Sequence, residues 1–373
     1  MDKKMKSEQF PLLSTPENVL KKIIKSMELL DLSKFSMISK KTKSLANMKS
    51  FQFTLLSNPR HFFNEILKRM DMYDLVNFSQ ISGKTKLLVS SLISKPMAID
   101  INVADKMYVY AGKTIYVCHI SKINDPVELA ESEKPGYKPI FDGYGFFDNL
   151  LFVTKQTTIR RLVFRENVDE NFLPIVFYVV PYCESIVIMP NVSDSAQRKI
   201  LAQYQKTTKQ LILYSIPPVE LRKAIMAQNS DCLRLHHLTL RWMKLDDLLM
   251  ANSAALGGNM IGSKVLNKFF KLWIRNKCNP RLEYLWTDRL ELVTDLKTVL
   301  AGIDYKKVPA DTIRIFKLSK KVIGVDNEWL TMADTVEVRG GYDLKRKDGT
   351  IATVAVRPVN VIRKLEFFIW NCV

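Results

Sequence analysis

A segment near the N-terminus is repeated 43 positions later in the chain. Residues 10–45 align with residues 53–88 without a gap, and about half of the aligned positions are identical. The conserved pairs include apolar and turn-forming residues: Leu12/Leu55, Pro16/Pro59, Ile23/Ile66, Met27/Met70, Asp31/Asp74 and Phe35/Phe78. A match of this length within one chain indicates a duplicated structural unit, so the fold must accommodate that unit twice.

The repeated unit has the pattern of three short helices. Apolar residues between positions 19 and 27 recur at about one helical turn and line one face of a first helix. Pro16 precedes that helix, where a missing backbone N–H is tolerated, and Asp31 and Ser39 are predicted to cap the next two turns. About 40 residues bury little core alone, so the excess of apolar positions predicts a docking surface.

The order of these residues resembles the F-box, with which substrate receptors of SCF (Skp–cullin–F-box) ubiquitin ligases bind the Skp adaptor. The resemblance covers residues 12–40, with Thr15-Pro16 where the family usually has Leu-Pro. It implies an adaptor-binding surface of nine apolar residues in the first copy: Leu12, Leu13, Pro16, Val19, Leu20, Ile23, Ile24, Leu32 and Phe35.

The second copy differs from the first on the face that the resemblance assigns to docking. Phe62-Phe63 replaces Val19-Leu20, and bulkier rings overfill a pocket shaped for valine and leucine. Gly83 replaces Lys40, where glycine weakens a helix by about 1 kcal/mol. We therefore expect the first copy to bind the adaptor and the second to act as a helical spacer. A helical-repeat array is the alternative explanation of the period, but such arrays need at least three units.

The net charge of +18 is concentrated in the repeated segment. Residues 1–96 carry half of it in about a quarter of the length. A basic surface favours binding to the acidic adaptor that the resemblance implies, or to nucleic acid. The third alternative is that the lysines are ordinary solvated helix surface. Nucleic acid is the least favoured partner, because no nucleic-acid-binding motif accompanies the charge.

Composition and targeting signals restrict the class of protein. At 373 residues, 47% of them apolar and 25% charged, the chain is typical of a globular protein with two or three domains. Five scattered cysteines show no disulfide framework or metal-binding spacing, which favours a reducing compartment. No signal-peptide pattern or membrane-spanning run is recognisable. We expect an intracellular protein of the cytoplasm, the nucleus or both, with no membrane partner.

Beyond residue 97 the pattern changes from helices to strands. A β-rich segment is predicted at residues 97–157, with a hairpin turn at residues 111–113 and a loop at residues 122–145. Strand-like pieces follow at residues 162–164, 186–188, 211–213, 238–240, 254–256 and 282–284, with helices at residues 193–205, 219–228 and 263–277. One strand and one helix in about 25 residues is typical of an irregular leucine-rich-repeat-like solenoid; an ordinary open α/β sheet is the alternative.

Residues 242–284 resemble the F-box-associated type 2 domain, which accompanies this F-box variant. The resemblance is carried by residues 265–273 and 279–285, whereas Gly257-Gly258-Asn259 departs from the polar pair usual in the family. Residues 305–309 and 340–356 are similar to the C-terminal segment of the same family. There, strands are predicted at residues 336–339, 342–345 and 350–356, with turns at Gly340-Gly341 and residues 347–349.

No catalytic constellation is recognisable in the sequence. His236-His237 precedes a predicted strand, where adjacent residues face opposite sides and do not readily bind one metal. Asp246-Asp247 is predicted to cap a helical turn, and Gly257-Gly258 lacks the spacing of a phosphate-binding loop. We expect no cofactor, no metal and no enzymatic activity.

The predicted fold is mixed, α+β or α/β, with a helical F-box repeat, a strand–helix solenoid and a C-terminal β-rich segment. Its predicted domains are an F-box at residues 8–50, a degenerate copy at 51–96, the β-rich segment at 97–157, strand–helix repeats at 158–290 that include the F-box-associated region at about 235–287, and a hairpin-rich segment at 291–373. The resemblance implies a substrate-recognition subunit of an SCF ligase, which binds the Skp adaptor, through it cullin, and an unknown target protein. A basic nucleic-acid-associated protein and an F-box scaffold outside a ligase are the alternatives.

Overall fold

A computed structural model describes residues 72–80, 83–111, 114–119, 128–131, 134–137, 143–236, 243–259, 261–288, 294–320, 335–359 and 362–370. The chain divides into two units. The first comprises residues 1–100 and 106–159, and the second comprises residues 101–105 and 160–373. None of the helices in the described ranges combines the length and the apolar character that a bilayer crossing requires.

In the first unit, three helices and an antiparallel meander are described. The helices are α1 (Met72–Ser79), α2 (Gly83–Leu92) and α3 (Gly143–Val153). Strand β1 (Ile99–Val103) crosses the boundary between the units, and β2 (Met107–Ala111), β3 (Thr114–His119), β4 (Glu128–Glu131) and β5 (Lys134–Tyr137) form the meander. In β2, Met107, Val109 and Ala111 are buried, whereas the two tyrosines between them are half-buried. This alternation is the period of a strand with one covered face.

The three helices described in the first unit pack on one another through apolar side chains and buried polar contacts. The Ser79 hydroxyl donates to the Val76 carbonyl at 2.6 Å and accepts from Asn149 Nδ2 at 2.7 Å. These two bonds satisfy a buried hydroxyl and connect the end of α1 to α3.

Two turn predictions for the first unit had different outcomes. The hairpin at residues 111–113 is confirmed, because Ala111 pairs with Thr114 in an antiparallel ladder. The loop predicted at residues 122–145 is wrong in part, since it contains β4, β5 and the start of α3. Pro135 lies in β5, the outermost strand of the meander. Edge strands tolerate proline because one side of the strand needs no ladder donors. Proline there marks the edge of a sheet, which composition alone does not distinguish from a loop.

In the second unit, short strands alternate with helices from residue 159 to residue 288. The elements are β6 (Ile159–Phe164), α4 (Leu173–Val179), β7 (Cys183–Ile188), α5 (Asp194–Tyr204), β8 (Gln210–Leu213), α6 (Val219–Ala227), β9 (Cys232–Leu235), α7 (Leu245–Met250), β10 (Ala255–Asn259), α8 (Ser263–Ile274) and β11 (Tyr284–Asp288). Strands β7 to β11 pair in parallel and in chain order, so each helix connects neighbouring strands.

Apolar rows run across this parallel sheet. One row consists of matched, buried side chains from five successive strands: Ile186, Leu211, Leu233, Leu256 and Leu285. The rings of Phe270 and Trp273 on α8 lie 4.6 and 5.1 Å from the ring of Phe367, which pairs with Leu285. The apolar row therefore extends to Phe367 of the strand that pairs with β11, on the face of the sheet that α8 covers.

Most of the predicted strands and helices of this region are confirmed. The pieces at residues 162–164, 186–188 and 211–213 fall within β6, β7 and β8, and the three predicted helices correspond to α5, α6 and α8. The pieces at residues 254–256 and 282–284 overlap the starts of β10 and β11. The piece predicted at residues 238–240 lies outside the described residues, and strand β9 lies earlier, at Cys232–Leu235.

Antiparallel strands complete the sheet of the second unit. After α9 (Thr294–Leu300), the chain forms β12 (Lys306–Lys317), β13 (Thr335–Lys345), β14 (Ile351–Val359) and β15 (Ile362–Trp370). Strand β15 pairs antiparallel with β11, and the order continues through β14 and β13 to β12. The coarse prediction of a mixed α/β fold is confirmed.

The turn predicted at Gly340-Gly341 is wrong. Both residues lie inside the single strand β13, with φ angles of 59° and 116°. They lie opposite an irregularity in β12 between Val308 and Ile313, where the partner strand has extra residues. Glycine permits this local distortion because it has no Cβ, so the pair marks a bulge and not a strand end. The turn at residues 347–349 is confirmed between β13 and β14.

Candidate functional site

The nine residues predicted to bind the adaptor lie outside the described residues. All of them, from Leu12 to Phe35, precede Met72, the first residue that the structure describes. Their arrangement therefore stays a prediction. The described part of the repeat belongs to the second copy, in which α1 aligns with residues 29–36 of the first copy.

In the second copy, the counterparts of two predicted adaptor contacts are buried. Leu75 and Phe78 occupy the positions of Leu32 and Phe35, and they are only 7% and 1% exposed. Helix α1, which carries both, packs against α2 and α3 of the same unit. A side chain that is buried within its own chain is not available to a partner, so α1 does not present these two residues for docking.

Part of the basic charge of the second copy is compensated inside the first unit. Lys86 Nζ on α2 lies 3.5 Å from a carboxylate oxygen of Asp148 and 4.6 Å from the ring centre of Phe152. Both partners belong to α3. This lysine therefore contributes to the packing of α2 on α3, through an ion pair and a cation–π contact.

A buried ionic network joins three strands of the second unit. The Glu366 side chain on β15 has no solvent-exposed surface. Its carboxylate accepts hydrogen bonds from Tyr284 of β11 and from Arg357 of β14, whose Nη2 donates at 2.6 Å. Lys364 Nζ lies 3.0 Å from the same carboxylate and donates to the Tyr284 hydroxyl at 3.0 Å. A buried carboxylate with several donors satisfies the general requirement that buried charges are paired.

The charges around Glu366 determine its ionisation. Burial raises the pKa of the Glu366 carboxyl, but the hydrogen bond from Arg357 and the charges of Lys364 and Arg357 outweigh burial, so the pKa lies below its ordinary value of 4.5. Aromatic rings complete the surroundings, with Tyr284 stacked on Trp286 at 5.0 Å and Lys364 Nζ 5.5 Å from the Trp286 ring. The network is suited to fixing β11, β14 and β15 to one another.

A second polar cluster fixes the outer strands of the same sheet. Arg314 of β12 donates to both carboxylate oxygens of Asp343 on β13, at 2.9 and 3.1 Å, and to the hydroxyl of Thr353 on β14 at 2.8 Å. The indole of Trp370 donates to the same hydroxyl at 2.7 Å, and Arg314 lies 4.7 Å from its ring centre. These contacts hold one face of β12 against β13, β14 and β15.

The opposite face of β12 is exposed. Ile313 and Ile315 are 49% and 61% exposed, whereas Phe316 between them and Lys317 is buried against Phe368, 5.1 Å between ring centres. In the strand order of the second unit β12 comes last, and among the described residues β13 is the only strand that pairs with it. The second unit therefore ends in an accessible strand edge.

The described residues that were considered for catalysis or metal binding make contacts of the kind that stabilise a fold. His236 follows β9, and its ring lies 4.7 Å from the Tyr214 ring. His237 and the strand predicted after it lie outside the described residues. The Asp247 carboxylate accepts from the Lys244 backbone N–H at 2.8 Å, which confirms the predicted helix cap. Within the ranges that the structure describes, no three His, Cys, Asp or Glu side chains are grouped closely enough to bind a metal.

Gly257 has a packing role that the sequence did not reveal. A Cβ atom at this position would lie 2.0 Å from Cζ2 of Trp286, so the indole occupies the space that a side chain would need. The glycine of β10 thus admits the ring of the neighbouring strand β11.

Family comparisons match three segments of the chain. Residues 16–54 and residues 55–96 each match the F-box domain, and residues 222–287 match the F-box associated family. The chain therefore contains two segments that match the F-box domain and one that matches the F-box associated family. No protein of established function and no solved structure matches it significantly.

The matched segments correspond to recognisable parts of the fold. Helices α1 and α2 belong to the second F-box match, and the F-box-associated match extends from within α6 to β11. The latter includes Gly257, Tyr284 and Trp286. The first F-box match begins at Pro16, so seven of the nine predicted adaptor residues lie inside it and Leu12 and Leu13 precede it. The similarity proposed for residues 305–309 and 340–356 lies beyond the matched residues and stays a prediction.

The ionic network around Glu366 was not foreseen from the sequence. A signal was present, since Lys364, Glu366 and Phe368 alternate in one strand and so share a face. The partners Tyr284 and Arg357 lie on strands that are distant in sequence, and no local pattern connects them to Glu366.

Proposed function

We propose that this protein is the substrate-recognition subunit of an SCF-type ubiquitin ligase. The first F-box binds the Skp adaptor, and through it cullin, while the region after residue 97 holds a target protein. Ubiquitin transfer is performed by other subunits, so this chain contributes proximity and no chemistry of its own. The observation that carries the proposal is the presence of F-box matches and an F-box-associated match in one chain.

The adaptor-binding surface is assigned to the first copy. In the second copy the counterparts of Leu32 and Phe35 are 7% and 1% exposed, which supports a spacer role for its α1. The proposed contacts are the nine apolar residues of the first copy: Leu12, Leu13, Pro16, Val19, Leu20, Ile23, Ile24, Leu32 and Phe35. Burial of such side chains in a partner is the main favourable contribution to association.

We also infer that β6 to β11 form a short, irregular solenoid of leucine-rich-repeat type. Parallel strands in chain order with one helix between neighbours support this inference. Strands β15, β14, β13 and β12 then act as its C-terminal cap, because they pair with the last parallel strand and extend the ladder. The target-binding surface belongs to this region in the proposal.

A pair of matched double variants tests the adaptor assignment. In the first copy, Leu20→Asp with Ile24→Asp places two carboxylates on the proposed docking face. The corresponding positions in the second copy give the control, Phe63→Asp with Leu67→Asp. Co-purification with a Skp adaptor is expected to be lost in the first variant and retained in the second, because only the first copy docks.

The outcomes of this experiment separate the competing functions. Adaptor binding that persists in Leu20→Asp with Ile24→Asp and after deletion of residues 1–50 contradicts the docking assignment. Adaptor without cullin in the isolated complex indicates a scaffold outside a ligase. Retention on heparin that falls steeply with salt, without adaptor binding, supports the nucleic-acid alternative.

A further inference from the structure

The exposed edge of β12 consists of two halves with different properties. In residues 306–312, two exposed lysines, Pro309 and the irregularity after Val308 occupy the edge. Lysine, proline and bulges are the devices by which proteins prevent unwanted pairing of a sheet edge. The first half is therefore protected against pairing with another strand.

Residues 313–317 of β12 contain no proline and no irregularity, and their single lysine, Lys317, is the last residue of the strand. They pair with residues 335–339 of β13. Ile313 and Ile315 alternate on the exposed face. In an antiparallel pair, alternate residues direct their N–H and C=O groups away from the partner strand, so such a regular half presents backbone groups to another strand.

The buried side of this half is held in one position. Arg314 is fixed by Asp343, Thr353 and the Trp370 ring, and the Phe316 ring packs on Phe368. A strand whose conformation is fixed before binding loses little conformational entropy when a partner strand is added.

The charge along the edge selects the partner. Lys306, Lys307, Lys317 and Lys320 are exposed, against the exposed carboxylates of Asp304 and Asp311. The remaining cation of the strand, Arg314, is neutralised by Asp343. The edge is therefore positive, which favours a segment that carries carboxylates.

We propose that residues 313–317 of β12 bind an extended, acidic segment of the target protein as an added β-strand. Main-chain hydrogen bonds supply affinity, Ile313 and Ile315 contact alternate apolar side chains of the segment, and the lysines pair with its carboxylates. The inference rests on the proposed function, because it assigns the target-binding role of the second unit to one edge.

The test uses the full chain in complex with its adaptor and a defined probe. A fluorescein-labelled peptide of alternating valine and glutamate is titrated by fluorescence anisotropy, beside the same peptide N-methylated at alternate residues and a valine–lysine peptide. The variants are Ile313→Glu with Ile315→Glu, and as control Ile351→Glu, an isoleucine of β14 that is 39% exposed. Thermal unfolding and adaptor co-purification are measured for each variant.

We expect the double variant and the N-methylated peptide each to weaken binding by about tenfold or more. The variant replaces two apolar contacts with carboxylates that repel the acidic peptide, and methylation removes the backbone donors of the added strand; the control variant changes neither. The valine–lysine peptide should not bind. Equal binding of the methylated and unmethylated peptides, or no binding of the valine–glutamate peptide at millimolar concentration, overturns the proposal. So does a concentration-dependent dimer that the double variant abolishes, since the edge then pairs two copies of this chain. Adaptor binding by the wild-type chain is measured separately: its absence counts against the proposed function, and the same titration on the full chain alone still tests the edge.

Discussion

Replacing Glu366 by alanine tests how the C-terminal strands are held to the parallel sheet. The change removes the one carboxylate that Lys364 and Arg357 share, at 3.0 Å from Nζ and 2.6 Å from Nη2. It also removes the acceptor of the Tyr284 hydroxyl. Two cations then remain beside an aromatic cluster with no anion between them.

The cost follows from the burial of the partners. The side chain of Arg357 is 39% exposed and can turn to solvent, but that of Lys364 is only 11% exposed and keeps most of the penalty. Removing one partner of a buried ion pair costs about 3–5 kcal/mol, and we expect a loss in this range for the second unit. For a unit of about 200 residues, 1 kcal/mol lowers the melting temperature by about 2–4 °C, so a decrease of about 6–20 °C is expected.

Urea unfolding followed by tryptophan fluorescence measures this loss, because Trp286 lies beside the network. The matched control is Glu337→Ala, which removes a glutamate that pairs with Arg339 on the exposed face of the sheet. An exposed pair contributes about 0–1 kcal/mol, so the control should unfold almost like the wild type. If Glu366→Ala loses no more than the control, the network does not hold the strands and the reasoning is refuted.

The remaining predictions concern pH, packing and a helix cap. The pKa of Glu366 is lowered in the folded state, so its contribution to stability is complete above pH 4.5 and is lost as the pH falls through the folded pKa. Glu366→Gln should therefore reduce the fall of the unfolding free energy at acid pH. An unchanged pH dependence would contradict the assignment. Gly257→Ala should lower stability by about 1–3 kcal/mol in urea unfolding, because the new Cβ meets Trp286 at 2.0 Å, and a stability equal to the wild type would refute that contact. Ser193→Ala should cost about 1 kcal/mol, since the Ser193 hydroxyl accepts from the Ala196 N–H at 3.0 Å at the start of α5, whereas Ser193→Gly should cost only a few tenths; equal losses would argue against the cap.

Features with local causes were predictable from the sequence. The helix α8 follows from the spacing of Leu266, Phe269, Phe270 and Trp273, all of them buried as that stripe requires. The strands β7 and β8 follow from short apolar runs between turns. In each case the residues that determine the element are close together in sequence, so their periodicity is sufficient to predict it.

Features that depend on distant partners were missed or misread. Gly340-Gly341 has the composition of a turn, but its role in β13 is determined by the extra residues of β12 opposite it. Pro135 has the composition of a loop, but the outermost position of β5 makes it compatible with a strand. The sequence gives the identity of such a residue, but it does not show which residue lies opposite it on the neighbouring strand.

The same distinction separates the two proposed binding surfaces. The adaptor surface is encoded within residues 12–35, so a motif records it and the duplicated copy offers an internal control at Phe63 and Leu67. The edge of β12 depends on residues distant in sequence: contacts 29 and 39 residues apart, from Arg314 to Asp343 and to Thr353, fix one face and leave Ile313 and Ile315 on the other. The adaptor motif and the proposed target edge can therefore be varied independently in this chain, because Ile313 and Ile315 take no part in the Arg314 contacts that hold β12.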